Sequence, residues 1–253
     1  MSGRPMRVFG FKYDEAVSLG QWCSVAICLR KLGLRSHSGP FDWFGQYVPL
    51  AKYADMIVAG VPDFMSKDNL REVGSNETDG KVYYRDLVNG FESRHDFRIG
   101  VPFEENYAKF RKRLDRRIER LISGLRSGIK VVFVHWYGGD GHYRRNEVVE
   151  AMRRLRAAYP ESKIDLLVIE TENLAEQVRY EEPEPGVVFA IGDFYDRSRF
   201  GWVMGNERLV HSVLRRIHVR GRWRNLLHMK IASLKKRLGR HLPRKSIVGA
   251  NMV

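Results

Sequence analysis

Apolar positions recur along the chain in two alternating rhythms. Ala16 to Leu19 is a short apolar run ended by Gly20, and Val25, Cys28, Leu29 and Leu32 follow at helical spacing up to Gly33. That order predicts strand, tight turn, helix. Ser38 to Trp43 (SGPFDW) is loop chemistry, because Gly39 and Pro40 block regular structure. Leu50 to Ala59 predicts another helix, Pro62 to Gly80 is polar and turn-rich, and Val82 to Val88 and Phe91 to Ile99 read as short strands or extended pieces. Tyr107, Phe110, Leu114, Ile118, Leu121, Ile122 and Leu125 mark a long amphipathic helix closed by Gly128. Ile129 to Trp136 is a nearly continuous β-branched run, as expected of a strand covered on both faces. A glycine-rich loop, Gly138 to Gly141, leads to a helix carrying Val148, Met152, Leu155 and Tyr159. Ile164 to Ile169 and Val187 to Ile191 are further buried-type strands, and Leu209, Val210, Val213, Leu214 and Ile217 lie on one more helix.

Strands alternating with helices of this length predict right-handed crossovers. The expected fold class is α/β: a mainly parallel sheet with helices on both faces in three layers, plus a basic C-terminal helix. The expected organisation is a single domain over residues 1–218 and a basic amphipathic extension over 219–253.

Composition changes this picture only at the C-terminus. The 253 residues are 43% hydrophobic, enough for a full core, and neither a bilayer-spanning apolar run nor a signal-peptide core is present. The expected location is cytoplasmic, with peripheral contact at the inner membrane face as an option. The charge of +14 is uneven: no acidic residue follows Glu207, whereas Arg208 to Lys245 holds 13 Lys and Arg, leaving the body close to neutral. Trp223, Leu226, Leu227, Ile231, Leu234 and Leu238 recur at helical spacing among those cations. Such a helix suits packing on the body with a solvated face, an anionic membrane surface, an acidic partner or contact with nucleic acid. Nothing in the pattern distinguishes base readout from phosphate attraction, and sequence-specific nucleic acid binding is not expected.

Cys23 and Cys28 are the only cysteines. On one helix they lie about 140° apart and cannot bridge. Cys23 falls at the first turn of the predicted helix, where unpaired amides and the helix dipole favour a thiolate and could hold an oxyanion. The same residue also suits a small buried filler, a role that Cys28 fits better. A thiol nucleophile needs a base. His95, followed by Asp96, and His135, at the end of a buried-type strand, are candidates; each also reads as a structural histidine. Gln21 offers an amide donor beside Cys23, and Asp42 could orient a base or cap a turn. His135, Asp140 and His142 make a weak metal pattern, and the glycine loop matches neither a Walker A nor a dinucleotide fingerprint. No cofactor is expected.

The run VSLGQWCSVAICLRKLGLRSHSGPFDW (Val17 to Trp43), with the later His-Asp-Phe at His95 to Phe97, resembles a bacterial family of unknown function described as putative papain-like cysteine peptidases. The likeness extends more loosely from Ala16 to Ile217. It implies Cys23 as nucleophile, His95 as general base and Gln21 as oxyanion donor, with Asp96 or Asp42 as third member. It also implies an alternative fold, α+β and papain-like, in which the histidine stands on an antiparallel sheet.

Two functions follow. One is a cysteine peptidase or related thiol-dependent hydrolase or acyl transferase, acting on a peptide, amide or thioester. The other is a nucleotide-dependent (glycosyl) transferase or non-catalytic binding protein, with its site at Gly20 to Cys23, Gly138 to His142, Glu170 to Asn173 and Gly192 to Asp196, where strands end.

Overall fold

The computed structural model describes residues 10–20, 23–45, 48–137, 144–172, 175–194 and 206–241, with side chains through Ile231 in the last helix. In chain order the strands are β1 (Lys12–Tyr13), β2 (Glu15–Ser18), β3 (Phe44–Gly45), β4 (Leu70–Asn76), β5 (Lys81–Asp86), β6 (Glu92–Arg98), β7 (Lys130–Tyr137), β8 (Lys163–Thr171), β9 (Arg179–Glu184), β10 (Val187–Gly192) and β11 (His218–Val219). The helices are α1 (Ser24–Lys31), α2 (Leu50–Val58), α3 (Phe103–Arg126), α4 (Arg145–Ala158), α5 (Glu207–Leu214) and α6 (Arg222–His241).

The main sheet runs β2-β7-β8-β10-β9. Its first four strands are parallel, and β9 closes the edge antiparallel to β10. Alternate residues of each central strand enter two different cores. Val131, Phe133, Leu166, Val168, Val187 and Phe189 pack with residues of α2, α3 and α4, whereas Val132, Val134, Leu167, Ile169, Val188 and Ala190 pack with residues of α1 and α5. Burial on both sides is why β7, β8 and β10 read as unbroken apolar runs.

A second, four-stranded sheet, β3-β6-β5-β4, is antiparallel throughout. The fold is therefore mixed α/β, and the expectation of one mainly parallel sheet is corrected: the extended pieces around residues 82 to 99 pair into a sheet of their own. Its edge strand β4 lies inside the stretch read as polar and turn-rich, because all but Leu70 of LREVGSN is solvent-accessible and gives no apolar alternation. The main sheet's edge strand β9 (RYEEPE) gives no strand signal for the same reason; charge and a proline suit an edge that must not recruit another strand.

Beside this second sheet Phe41, Phe44, Tyr53, Phe64 and Phe91 form an aromatic web of edge-on, tilted and stacked contacts 4.9 to 6.2 Å between centroids. The first turns of α6 dock on the end of α1: Arg222 Nε donates to the Leu32 carbonyl (2.9 Å) and Asn225 Nδ2 to that of Gly33 (3.2 Å). Among the described residues no helix is long and apolar enough to cross a membrane.

Candidate active site

The turn that presents Cys23 is built on β2. Leu19 N–H still bonds to the Val134 carbonyl (2.9 Å), and the chain then reverses at Gly20, whose φ of +76° only glycine adopts freely. A side chain at Gly20 would also collide with the Tyr53 hydroxyl. Cys23 is the residue that caps α1, and its carbonyl accepts the first helical bond, from Ile27 N–H (2.9 Å). Its side chain makes no capping bond to the first-turn amides, and no acidic residue occupies that turn.

Cys23 lines a cleft of about 400 Å³ together with Trp43, Phe44, Gly45, Asn76, Asp79, Tyr83, Arg94 and His95. The structure thus brings Cys23, at the start of α1, and His95, on β6, to one cavity. Among the described residues no hydrogen bond joins the thiol to the ring, and an open cleft of this kind is compatible with tightening on substrate.

His95 owes its place to an irregularity. In the β5–β6 ladder Val82 pairs with Phe97 and Tyr84 with Ser93, so Arg94, His95 and Asp96 together stand opposite Tyr83 alone. Such a bulge re-aims side chains out of the regular pleat. Lys81 Nζ donates to the His95 carbonyl (2.7 Å), and Arg94 lies 5.2 Å from the Tyr83 ring, so the bulge is held on both sides.

The loop at 38 to 43 explains its own sequence. Asp42 is buried, and its Oδ2 accepts from Gly39 N–H (2.9 Å) and from Arg35 in a buried ion pair. With the loop fixed, Phe41 is driven into the aromatic core and Trp43 into the cleft. Arg35 lies 5.9 Å from the Trp43 ring.

Burial raises the Cys23 thiol above its ordinary pKa, outweighing its own backbone amide. Burial likewise holds the His95 imidazole below its ordinary value, with Asp96 and Asp79 pulling the other way. Both groups are therefore neutral at rest. The helix N-terminus does not give the standing thiolate its position suggested, because the desolvation cost of the charge is larger.

The other candidates lie elsewhere. Asp96 accepts from Ser93 Oγ (2.9 Å) and Arg113 (3.0 Å), and neither it nor Asp42 lines the cleft. His135 is buried; its Nδ1 donates to the Leu19 carbonyl (3.0 Å), and burial depresses its pKa to about 4. It supports the turn before Cys23 and does not line the cleft. Gln21, Asp140, His142 and the glycine loop fall outside the described residues, as do parts of the loops proposed for a nucleotide. Among the described residues no cluster of three or more His, Cys, Asp or Glu could hold a metal.

Sequence reasoning does not find Asn76, Asp79, Tyr83 or Arg94. They come from the β4–β5 hairpin and the bulge, where the Asn76 Oδ1 accepts from the amides of Thr78 and Asp79 (3.0 and 3.3 Å). The Asn-Glu-Thr-Asp-Gly turn at 76 to 80 is the available signal.

The uncharacterized protein R408 of Acanthamoeba polyphaga mimivirus is 26% identical over 140 residues, covering 47% of this chain and 59% of the viral protein. The chain thus spans less than two thirds of that relative. No solved structure matches. A family model covers residues 14–169, a stretch that contains the Cys23 turn, the Asp42 loop and the His95 bulge, and by that match the chain belongs to the family described as "Putative papain-like cysteine peptidase (DUF1796)".

Proposed function

We propose that the cleft is the active site of a thiol-dependent hydrolase or acyl transferase working on a peptide, amide or thioester carbonyl through Cys23 and His95. The observation that carries the reading is their convergence: a cysteine at a helix start and a histidine on a bulged strand, far apart in sequence, line one cavity.

The neutral resting pair sets the order of events. As Sγ bonds to the carbonyl carbon, its proton passes to the His95 ring, so the thiolate exists only during attack. The carbonyl oxygen takes the electron pair and is met by the backbone amides at the start of α1. Collapse expels the amine or thiol, which takes the proton from His95, and leaves a thioester on Cys23. Water or an acceptor nucleophile then gives its proton to His95 as it attacks the thioester carbonyl, and the C–S bond breaks with Sγ taking that proton back from His95, which restores the neutral thiol and imidazole. Two carboxylates favour the imidazolium, Asp96 more strongly and Asp79 from the cleft wall.

The test is labelling by a peptidyl vinyl sulfone, with modified residues mapped by mass spectrometry. Cys23 takes the label, buried Cys28 does not, and His95→Ala slows the reaction by about 10²–10⁴-fold. Equal labelling rates in native protein and His95→Ala overturn the pairing.

A further inference from the structure

We propose that the face built from α6 and the segment at Phe11 and Lys12 docks the protein on an anionic lipid bilayer. Trp223 is 83% exposed, Leu227 56% and Ile231 41%, and residues four apart on a helix form a single stripe. The stripe is not an unfinished core contact. The helix already spends its inner face on the body, through Arg222 and Asn225 and through Leu226, whose side chain fills the space beside Gly33 where a Cβ would lie 2.6 Å from it.

The apolar surface continues past the helix. Phe11, 51% exposed, stands with Trp223 on the wall of a depression of about 500 Å³ that Lys12, His218 and Arg222 also line. Lys163 Nζ lies 5.1 Å from the Phe11 ring. Cationic groups therefore rim an exposed aromatic and aliphatic row, and no acidic residue follows Glu207 in the sequence.

That combination selects the partner. A bilayer interface offers hydrocarbon for Leu227 and Ile231, an amphipathic zone for Trp223 and phosphates for the cations. A nucleic acid satisfies the cations but gives the aliphatic row nothing, since its backbone is charged and its bases are stacked. A second copy of the chain would bring two basic faces together. With no membrane-crossing helix among the described residues, the attachment lies in the interface plane.

The experiment uses the full chain with phosphatidylcholine vesicles, with or without about 30% phosphatidylglycerol, at roughly physiological salt. The anionic vesicles bind the protein at least about tenfold more tightly than the neutral ones, and Trp223→Ser, Leu227→Ser and Ile231→Ser together weaken that binding by at least about tenfold. The triple variant keeps its elution from a heparin column, which reports charge alone. Tryptophan emission shifts to the blue on vesicle addition and the shift is lost in Trp223→Phe, which leaves the fold intact if the triple variant does not. Unchanged vesicle binding by the triple variant, a blue shift that survives Trp223→Phe, tighter binding to duplex nucleic acid than to anionic vesicles, or self-association abolished by the three serines each overturn the proposal.

Discussion

The indole of Trp43 and the imidazole of His95 meet edge to face, with centroids 6.2 Å apart and planes inclined at 83°. The contact links the loop held by Asp42 to the bulge that carries the candidate base, and it excludes water from one side of the ring. Burial is the main cause of the depressed His95 pKa. Trp43→Ala hydrates the imidazole and so raises its pKa toward the ordinary 6.5. A base must be unprotonated to accept, so the acid limb of any pH–rate profile moves to higher pH in the variant. An NMR titration of the His95 ring, assigned with His95→Gln, checks this; a pKa that does not move shows that the indole is not what desolvates it.

The ion pair behind this contact is completely enclosed. Arg35 and Asp42 are 6% and 1% exposed, and Asp42 Oδ1 has no hydrogen-bond partner among the described residues. Removing the cation strands a buried carboxylate, so Arg35→Met destabilises the fold by about 3–5 kcal/mol. Replacing both groups, Arg35→Met with Asp42→Leu, costs markedly less than the sum of the two single changes, because no charge is left behind. Urea unfolding of the four proteins measures the coupling, and strict additivity refutes it.

What can be read from the sequence follows from where each segment is buried. Strands β7, β8 and β10 and helix α3 announce themselves because their apolar residues repeat with the period of the surface they cover. Strands β4 and β9 are edge strands with mostly polar, exposed residues, and only pairing with a neighbour makes them strands. The site divides in the same way. Cys23 is legible as strand, turn and helix start, and His95 through its His-Asp-Phe triplet. Arg94 stands opposite Tyr83 only because the β5–β6 register slips, a long-range event with no local signature, whereas Asp79 comes from the β4–β5 turn, whose composition marks a turn but not the cleft it faces. The protonation of Cys23 escapes sequence reading for a related reason: a helix start can be seen in sequence, whereas the packing that desolvates a thiol cannot.

Gly20 is constrained twice, by its φ of +76° and by the Tyr53 hydroxyl lying where a Cβ would stand. Gly20→Ala therefore costs about 1–2 kcal/mol for the left-handed backbone alone, with the collision added to it. Tyr53→Phe in the Gly20→Ala background removes the hydroxyl and recovers the collision part, while the backbone cost remains. Because this turn aims the thiol, the alanine variant also slows vinyl sulfone labelling of Cys23. Thermal unfolding of the single and double variants tests the partition: no recovery in the double variant shows that the backbone carries the whole effect.

His135 converts the same turn into a pH-sensitive element of stability. Its Nδ1–H is committed to the Leu19 carbonyl, and burial lowers its pKa from 6.5 to about 4 in the folded protein. Between those values the unfolded chain binds the proton and the folded chain does not, so stability rises with pH across that window and falls on acidification. At pH 4.5 the histidine alone removes about 2–3 kcal/mol relative to pH 7, as an order of magnitude. An asparagine in its place keeps a donor near the Nδ1 position and has no group that titrates in this range. His135→Asn therefore narrows the gap in unfolding free energy between pH 7 and pH 4.5 by about that amount, whatever its effect at pH 7. Urea unfolding at the two pH values decides the matter: an equal gap in native protein and variant places the acid sensitivity in other groups, and a smaller one assigns it to the imidazole beside the cysteine turn.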